Sequence, residues 1–214
     1  MNLNQLEFNQ QNTATTFIKG NAGDIEVVIT RPQTLREQTP VAIISHPHPL
    51  YGGTMSNKVV HILAKTFSEL NAITVRFNFR GVGKSEGEHD NGIGEAEDLQ
   101  TLADKFKQWR PSSPIWLAGF SFGAYVTAKA QAKIKPERVL LVAPPISMYD
   151  FETLEAIEVP WIVLQGAEDE VIDAKAVKSW LASRTAQLVW MEDTSHFFHG
   201  KLNEMKSLLL DAWI

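Results

Sequence analysis

The chain contains no cysteine, and this absence excludes several kinds of chemistry. Without thiols it cannot form a disulfide framework, use a thiolate nucleophile or hold zinc through sulfur ligands. Long apolar runs are also missing, since the longest are about five to seven residues and a bilayer span needs roughly 20. We therefore expect no membrane span.

Clustered positive charge is scarce as well. The sequence has 20 Lys+Arg against 25 Asp+Glu, a formal net charge of −5, and no basic run exceeds two residues. A surface that holds nucleic-acid phosphates needs such clusters, so we expect no nucleic-acid partner. The polar segment 1–16 lacks the cationic and apolar regions of a signal peptide, which leads us to expect a soluble cytoplasmic protein. Its oligomeric state is not indicated by the sequence.

What is present is the composition of an ordinary globular chain: 214 residues, of which 44% are hydrophobic. At roughly 150 residues per domain, this length predicts a single domain over residues 1–214. No internal repeat, low-complexity tract or flexible linker interrupts the sequence, which favours the same interpretation.

The hydrophobic pattern predicts an α/β fold. Two β-prone runs, Thr15–Lys19 and Ile25–Arg31, flank turn-forming residues and indicate an antiparallel hairpin. After the hairpin, short apolar runs alternate with segments of helical spacing, as in βαβ units. We therefore predict a central, mostly parallel sheet of about eight strands with helices on both faces. The predicted parallel strands are Val41–Ser45, Ile73–Phe79, Ile115–Ala118, Val139–Ala143, Trp161–Gln165 and Leu188–Met191.

The sharpest local motif is GFSFG at residues 119–123, which follows a predicted strand and begins a predicted helix. This G-x-S-x-G pattern places Ser121 on a tight strand-to-helix turn, exposed at the top of the sheet. The N–H of Phe122, at the helix N-terminus, then points to where an oxyanion would form. A serine in a glycine-rich turn without a catalytic role is the alternative, but the strand and helix around the motif favour a nucleophile.

A serine hydroxyl needs a base, and the base needs a carboxylate to orient it. In this architecture the expected chain order is serine, acid, histidine. Of the two histidines that follow Ser121, His196 lies just past the last strand and is favoured; His199 is one helical turn further on, where packing or capping is the simpler interpretation. Four carboxylates crowd the loop after Gln165, and composition alone does not choose among them, although Asp169 is best placed.

These features together resemble the α/β-hydrolase superfamily, from the strand at Val41 to the last helix. HPHP at residues 46–49 with GGTM at 52–55 looks like its oxyanion loop. FNFRGVGKS at residues 77–85 looks like its D-x-R-G-x-G-x-S turn, with Asn78 in place of the acid. The motifs are most similar to small lidless bacterial serine hydrolases related to the dienelactone-hydrolase and serine-aminopeptidase branches. By this resemblance Ser121, Asp169 and His196 match the catalytic triad.

The resemblance also implies that a second oxyanion N–H comes from the loop after the first parallel strand. Pro47 and Pro49 have no N–H, which leaves His48, our choice, or Leu50. His46 and His48 could instead be interpreted as a metal-binding pair, but no further histidine stands in a recognisable ligand spacing. We therefore expect no metal and no cofactor.

Large side chains beside the reactive positions are candidates for a substrate pocket: Leu50, Tyr51, Phe120 and Phe197. Only about 17 residues separate the strands that end near Ala143 and begin near Trp161, where superfamily cap domains usually insert. Without a cap domain the site should be open and shallow.

The sequence thus predicts a serine hydrolase, carboxylesterase-like, that cleaves ester or thioester bonds of a small molecule through an acyl-enzyme intermediate. Two alternatives stay open. One is a peptidase or acyltransferase with the same triad, and the other is a non-catalytic binding protein that keeps the α/β-hydrolase fold.

Overall fold

A computed structural model describes residues 6–213 of the protein. The described residues do not include residues 1–5 and residue 214. Residues 1–5 are the start of the segment that lacks signal-peptide features. Within residues 6–213 the chain forms one eight-stranded sheet. The strands are β1 (Thr13–Lys19), β2 (Asp24–Thr30), β3 (Val41–Ser45), β4 (Ile73–Phe77), β5 (Ile115–Phe120), β6 (Arg138–Val142), β7 (Trp161–Gly166) and β8 (Gln187–Met191).

The sheet order is β1-β2-β4-β3-β5-β6-β7-β8. Strand β2 is antiparallel to both of its neighbours, and the six strands from β3 to β8 run parallel to one another. The predicted α/β sheet with an N-terminal antiparallel hairpin is therefore confirmed. The hairpin closes through the Gly20 N–H, which donates to the Gly23 carbonyl at 2.8 Å, and Gly23 takes a positive φ of 132°.

In the described part of the chain, five α-helices cover the two faces of the sheet, as the βαβ pattern predicts. Along β3, Val41 and Ile43 point into one core, whereas Ala42 and Ile44 point into the other, following the two-residue period of a strand. The first core is closed by α2, α3 and α4, and the second by α1 and α5. The helices are α1 (Lys58–Glu69), α2 (Ile93–Trp109), α3 (Phe122–Ile134), α4 (Ala174–Leu181) and α5 (Leu202–Trp213).

Some strand ends differ from the prediction. Strand β5 continues two residues beyond Ala118, because Gly119 and Phe120 still pair with β6. Strand β4 ends at Phe77 rather than Phe79, because the chain turns after Asn78. The Asn78 N–H still donates to the Glu26 carbonyl of β2 at 3.0 Å, but the Phe79 carbonyl accepts the Val82 N–H at 3.0 Å in a turn.

The parallel strands bring the loops that follow β3, β5, β6, β7 and β8 to one edge of the sheet, where ligands of such sheets bind. The connection from β6 to β7, residues 143–160, is fully described and contains neither helix nor strand, so no cap domain stands over this edge. Between residues 6 and 213, none of the helices has the length and apolarity to cross a bilayer.

Candidate active site

Ser121 occupies the turn between β5 and α3 in a backbone conformation that non-glycine residues rarely adopt, φ 54° and ψ −119°. Hydrogen bonds hold it there: its N–H donates to the Val142 carbonyl of β6, and its own carbonyl accepts from Ala124 in the first turn of α3, both at 2.8 Å. The strained turn therefore lifts the Ser121 hydroxyl off the end of the sheet, as the G-x-S-x-G pattern predicts.

The glycines of the motif allow this turn to pack. A Cβ on Gly119 would lie 2.1 Å from the Gly123 carbonyl oxygen, and one on Gly123 would lie 2.4 Å from the Ser45 carbonyl oxygen. Such contacts are far inside van der Waals distance, so only hydrogen is tolerated at both positions. The N-terminus of α3 consequently sits directly against the end of β3, where the predicted oxyanion loop begins.

The structure brings Ser121 and His196 together across the sheet edge. The imidazole Nε2 of His196 lies 3.2 Å from the Ser121 Oγ, and its Nδ1 lies 2.8 Å from the Asp169 Oδ2. The His196 side chain is 3% exposed and that of Asp169 is fully buried. Gly166 makes the approach possible, because a Cβ there would lie 2.4 Å from the Thr194 carbonyl oxygen. The hydroxyl, the imidazole and the carboxylate thus form one hydrogen-bonded chain.

Asp169 is held by four donors. Its Oδ1 accepts the N–H groups of Val171 at 2.9 Å and Ile172 at 2.7 Å, while its Oδ2 accepts the Gln165 amide at 2.9 Å besides the imidazole. Burial alone raises the pKa of Asp169, but the hydrogen bond and charge of His196, with the two backbone N–H groups, outweigh it and leave this pKa below its usual value. The carboxylate is therefore ionised, and its orientation is fixed.

The other carboxylates of this loop have different contacts. Glu170 accepts the backbone N–H of His196 at 3.0 Å, and Asp173 caps α4 by accepting the N–H groups of Lys175 and Ala176. Glu168 is exposed to solvent. Among the four, Asp169 alone bonds the imidazole of His196, which the composition of the loop does not reveal.

The loop after β3 forms a short 3-10 helix, Pro49–Tyr51, with His48 as its N-cap. The Leu50 N–H donates to the His48 Nδ1 at 3.2 Å and is therefore already engaged. His48 lies beside Ser121 and Phe122 in the same cleft, and the Phe122 N–H, at the first position of α3, has no acceptor within the helix. The Leu50 N–H is thus the less available of the two predicted second donors, and the choice of His48 stays a prediction.

His46 is fully buried beneath this loop, and both ring nitrogens are engaged with backbone. Its Nδ1 donates to the Pro47 carbonyl at 2.6 Å, and its Nε2 accepts the Phe79 N–H at 3.1 Å. Burial lowers the pKa of His46 to about 4, so the ring is neutral at neutral pH. His46 therefore ties the loop after β3 to the loop after β4, and among residues 6–213 no three acidic or histidine side chains cluster as metal ligands would.

An open cleft of about 600 Å³, called here the main cleft, contains Ser121 and His196. Two of the predicted pocket residues, Tyr51 and Phe197, line it, and both are exposed. The other two do not. Leu50 points into solvent on the 3-10 helix, and Phe120 is fully buried below the cleft, its ring 5.1 Å from that of His196. Phe120 lies there because its position in β5 alternates with Gly119 and puts it on the face that α1 and α5 cover.

The sequence interpretation missed four apolar residues of the main cleft: Pro145, Met148, Tyr149 and Val171. Met148 and Tyr149 belong to the connection after β6, and the Tyr149 ring stacks on Tyr125 of α3 at 4.4 Å. Their place just past the carboxyl end of a parallel strand was a usable signal. His199, the alternative base, is exposed, with its ring 5.9 Å from that of Phe197.

Comparisons with known proteins agree with this architecture. Residues 43–208 match the family described as alpha/beta hydrolase domain. An α/β serine hydrolase homologue from Coxiella burnetii is 44% identical, with 97% of this chain and 100% of that chain covered and a TM-score of 0.90. A lidless a/b serine hydrolase from Xanthomonas campestris is 39% identical, with 96% and 95% covered and a TM-score of 0.90. An uncharacterized protein of Rickettsia prowazekii is 35% identical over 188 residues, 82% of this chain and 79% of its own length.

Proposed function

Because the chain belongs to the α/β-hydrolase family and has the fold of its lidless serine hydrolases, we propose that it cleaves carboxylic esters or thioesters through an acyl-enzyme. One observation carries the proposal: the hydrogen-bonded chain from Ser121 through His196 to Asp169 lies at the floor of an open cleft. In a merely structural role, a nearly buried imidazole would not need a hydroxyl on one nitrogen and an ionised carboxylate on the other.

In the proposed reaction, the His196 Nε2 takes the hydroxyl proton as the Ser121 Oγ bonds to the acyl carbon. The carbonyl π electrons move onto oxygen, and the N–H groups of Phe122 and His48 hold the resulting oxyanion. Asp169 keeps the proton of His196 on Nδ1 and stabilises the imidazolium. The intermediate then collapses, and the leaving oxygen or sulfur takes the proton from the Nε2. A water molecule, deprotonated in the same way, hydrolyses the acyl-enzyme and frees Ser121.

The walls of the cleft support an acyl substrate. Tyr51, Met148, Val171 and Phe197 are large apolar side chains with substantial exposed area around the nucleophile. Each buries apolar surface when an acyl group enters, at roughly 25 cal/mol per Å². Residues 143–160 form no cap domain, so the part of a substrate that is not bound in the cleft has room to extend into solvent.

Hydrolysis of p-nitrophenyl butyrate tests the proposal. The Ser121→Ala variant should lose at least about 10⁴-fold in kcat, because no nucleophile remains while the fold is unchanged. Ser207→Ala, which removes an exposed hydroxyl on α5, is the matched control and should retain wild-type turnover. Ester hydrolysis by Ser121→Ala at the wild-type rate would refute the assignment.

A further inference from the structure

A second depression, called here the side cleft, adjoins the main cleft. It has a volume of about 430 Å³ and shares Gly52, Asn57 and Phe197 with the main cleft. Its other walls come from the start of α1 and the segment that leads into α5, with Thr54, Ser56 and His199 among them. The two clefts therefore form one groove with Ser121 in one half.

The groove crosses the edge of the sheet from one face to the other. At one end, Tyr149 packs against the core that α2, α3 and α4 cover. At the other end, Asn57 caps α1 and Leu202 begins α5, the two helices of the opposite face. A substrate bound to Ser121 thus has two directions in which its two halves can extend.

The position of His196 determines which half of the substrate lies in which cleft. Its Nε2 protonates the leaving atom, so the alcohol or thiol half must lie on the His196 side of the reacting carbon. The next residue, Phe197, forms the boundary between the two clefts. The leaving half therefore extends past Phe197 into the side cleft, and the acyl half lies toward Met148 and Tyr149.

The two ends differ in chemistry. The acyl end is apolar, with Pro145, Met148 and Tyr149. The side cleft also has apolar walls at Val59, Phe197 and Leu202, but it adds a set of hydroxyl, amide, ammonium and imidazole groups. These come from Thr54, Ser56, Asn57, Lys58 and His199. The Asn57 Oδ1 is occupied by the Val59 N–H at 2.8 Å, which leaves the amide Nδ2 of Asn57 as a donor.

We propose that the side cleft binds the leaving half of the substrate and that this half carries hydroxyl groups, whereas the acyl half is apolar. The inference rests on the proposed function and names its substrate class: esters of an apolar acyl group with a polyhydroxy alcohol. Hydroxyl groups both donate and accept, which matches the mixed donors and acceptors of Ser56, Asn57 and His199.

Two esters that differ only in two hydroxyl groups, glyceryl monohexanoate and propyl hexanoate, test the inference. If each hydroxyl group forms one hydrogen bond in the side cleft, wild-type kcat/KM should favour the glyceryl ester by about tenfold. In the double variant Ser56→Ala with His199→Phe, the preference should fall at least threefold. Within residues 6–213 neither side chain has a hydrogen-bond partner, and Phe keeps the ring beside Phe197, so the variant should fold normally.

Met148→Leu is the matched control, because it changes the acyl end and should leave the glyceryl-to-propyl ratio at the wild-type value. A wild-type ratio of one or less, or the same ratio in the double variant, overturns the inference while the proposed function stands. Failure of the wild-type protein to hydrolyse either ester or p-nitrophenyl butyrate would instead overturn the proposed function, and the inference with it.

Discussion

The buried His46 makes the stability of this protein depend on pH in a defined direction. The fold engages both ring nitrogens, so protonation of the Nε2 breaks its bond to the Phe79 N–H and places a charge in a site without solvent. Since the pKa of His46 is lowered, the folded state binds fewer protons there than the unfolded chain. The contribution of the neutral His46 ring to the free energy of unfolding is fully present above the ordinary pKa of 6.5, and it is lost as the pH falls toward 4.

The size of the effect follows from the two pKa values. His46 titrates at about 4 in the fold against 6.5 ordinarily. At about 1.4 kcal/mol per pKa unit, the free energy of unfolding should fall by about 3 kcal/mol between pH 7.5 and a pH below 4 through this residue alone.

Urea unfolding at several pH values measures this contribution in wild type and in two variants. His46→Gln can replace the acceptor for the Phe79 N–H, and His46→Asn can replace the donor to the Pro47 carbonyl. Each should cost about 1–2 kcal/mol at pH 7.5, because one hydrogen bond is lost, but neither can take up a proton. The advantage of wild type over both variants should therefore vanish between about pH 6 and pH 5, and both variants should be more stable than wild type at pH 4. A stability gap that stays constant over this range would refute the reasoning.

Three further substitutions test other parts of the structure. Asp169→Asn should lower kcat for p-nitrophenyl butyrate by about 10⁴-fold with little change in melting temperature, because an amide stabilises the wrong tautomer of His196; a loss under tenfold would contradict this. Gly123→Ala, whose Cβ would lie 2.4 Å from a carbonyl oxygen, should destabilise the protein by at least about 3 kcal/mol in urea unfolding, and wild-type stability would argue against the packing described. Asp98→Ala removes the two hydrogen bonds of the nearly buried Arg80 to Asp98, at 2.8 and 2.9 Å, and leaves only longer ion pairs to Glu97 at 3.7 Å and Asp90 at 4.0 Å. It should cost about 3 kcal/mol in urea unfolding, and a loss below 1 kcal/mol would speak against a buried pair.

Much of the fold could be predicted because its signals are local. Parallel strands buried on both faces are short apolar runs, and a glycine on either side of Ser121 marks a turn that other residues cannot make. The hairpin, the six parallel strands and the strand-turn-helix at Ser121 all follow from such patterns. Strand ends such as Phe77 depend on the turn that the chain makes after Asn78, which the hydrophobic pattern does not contain.

The site was harder to predict from the sequence, because its residues come from loops that are far apart along the chain. The choice of Asp169 among four carboxylates depends on which one reaches the imidazole after the chain turns at Gly166. Phe120 was assigned to the pocket by its place next to Ser121, although the two-residue period of β5 turns its side chain below the cleft. Met148 and Tyr149 sit more than twenty residues from the serine in sequence and meet it only through the sheet order.

Covalent labelling of the purified protein with a fluorophosphonate tests the central proposal most directly. The reagent phosphonylates a serine only when a base removes the hydroxyl proton and an oxyanion hole accepts the developing charge. Peptide mass spectrometry should find one adduct, on Ser121, and the Ser121→Ala variant should carry none. An unlabelled wild-type protein, or an adduct that persists in Ser121→Ala, would contradict the assignment of Ser121 as an activated nucleophile and favour a non-catalytic use of the fold.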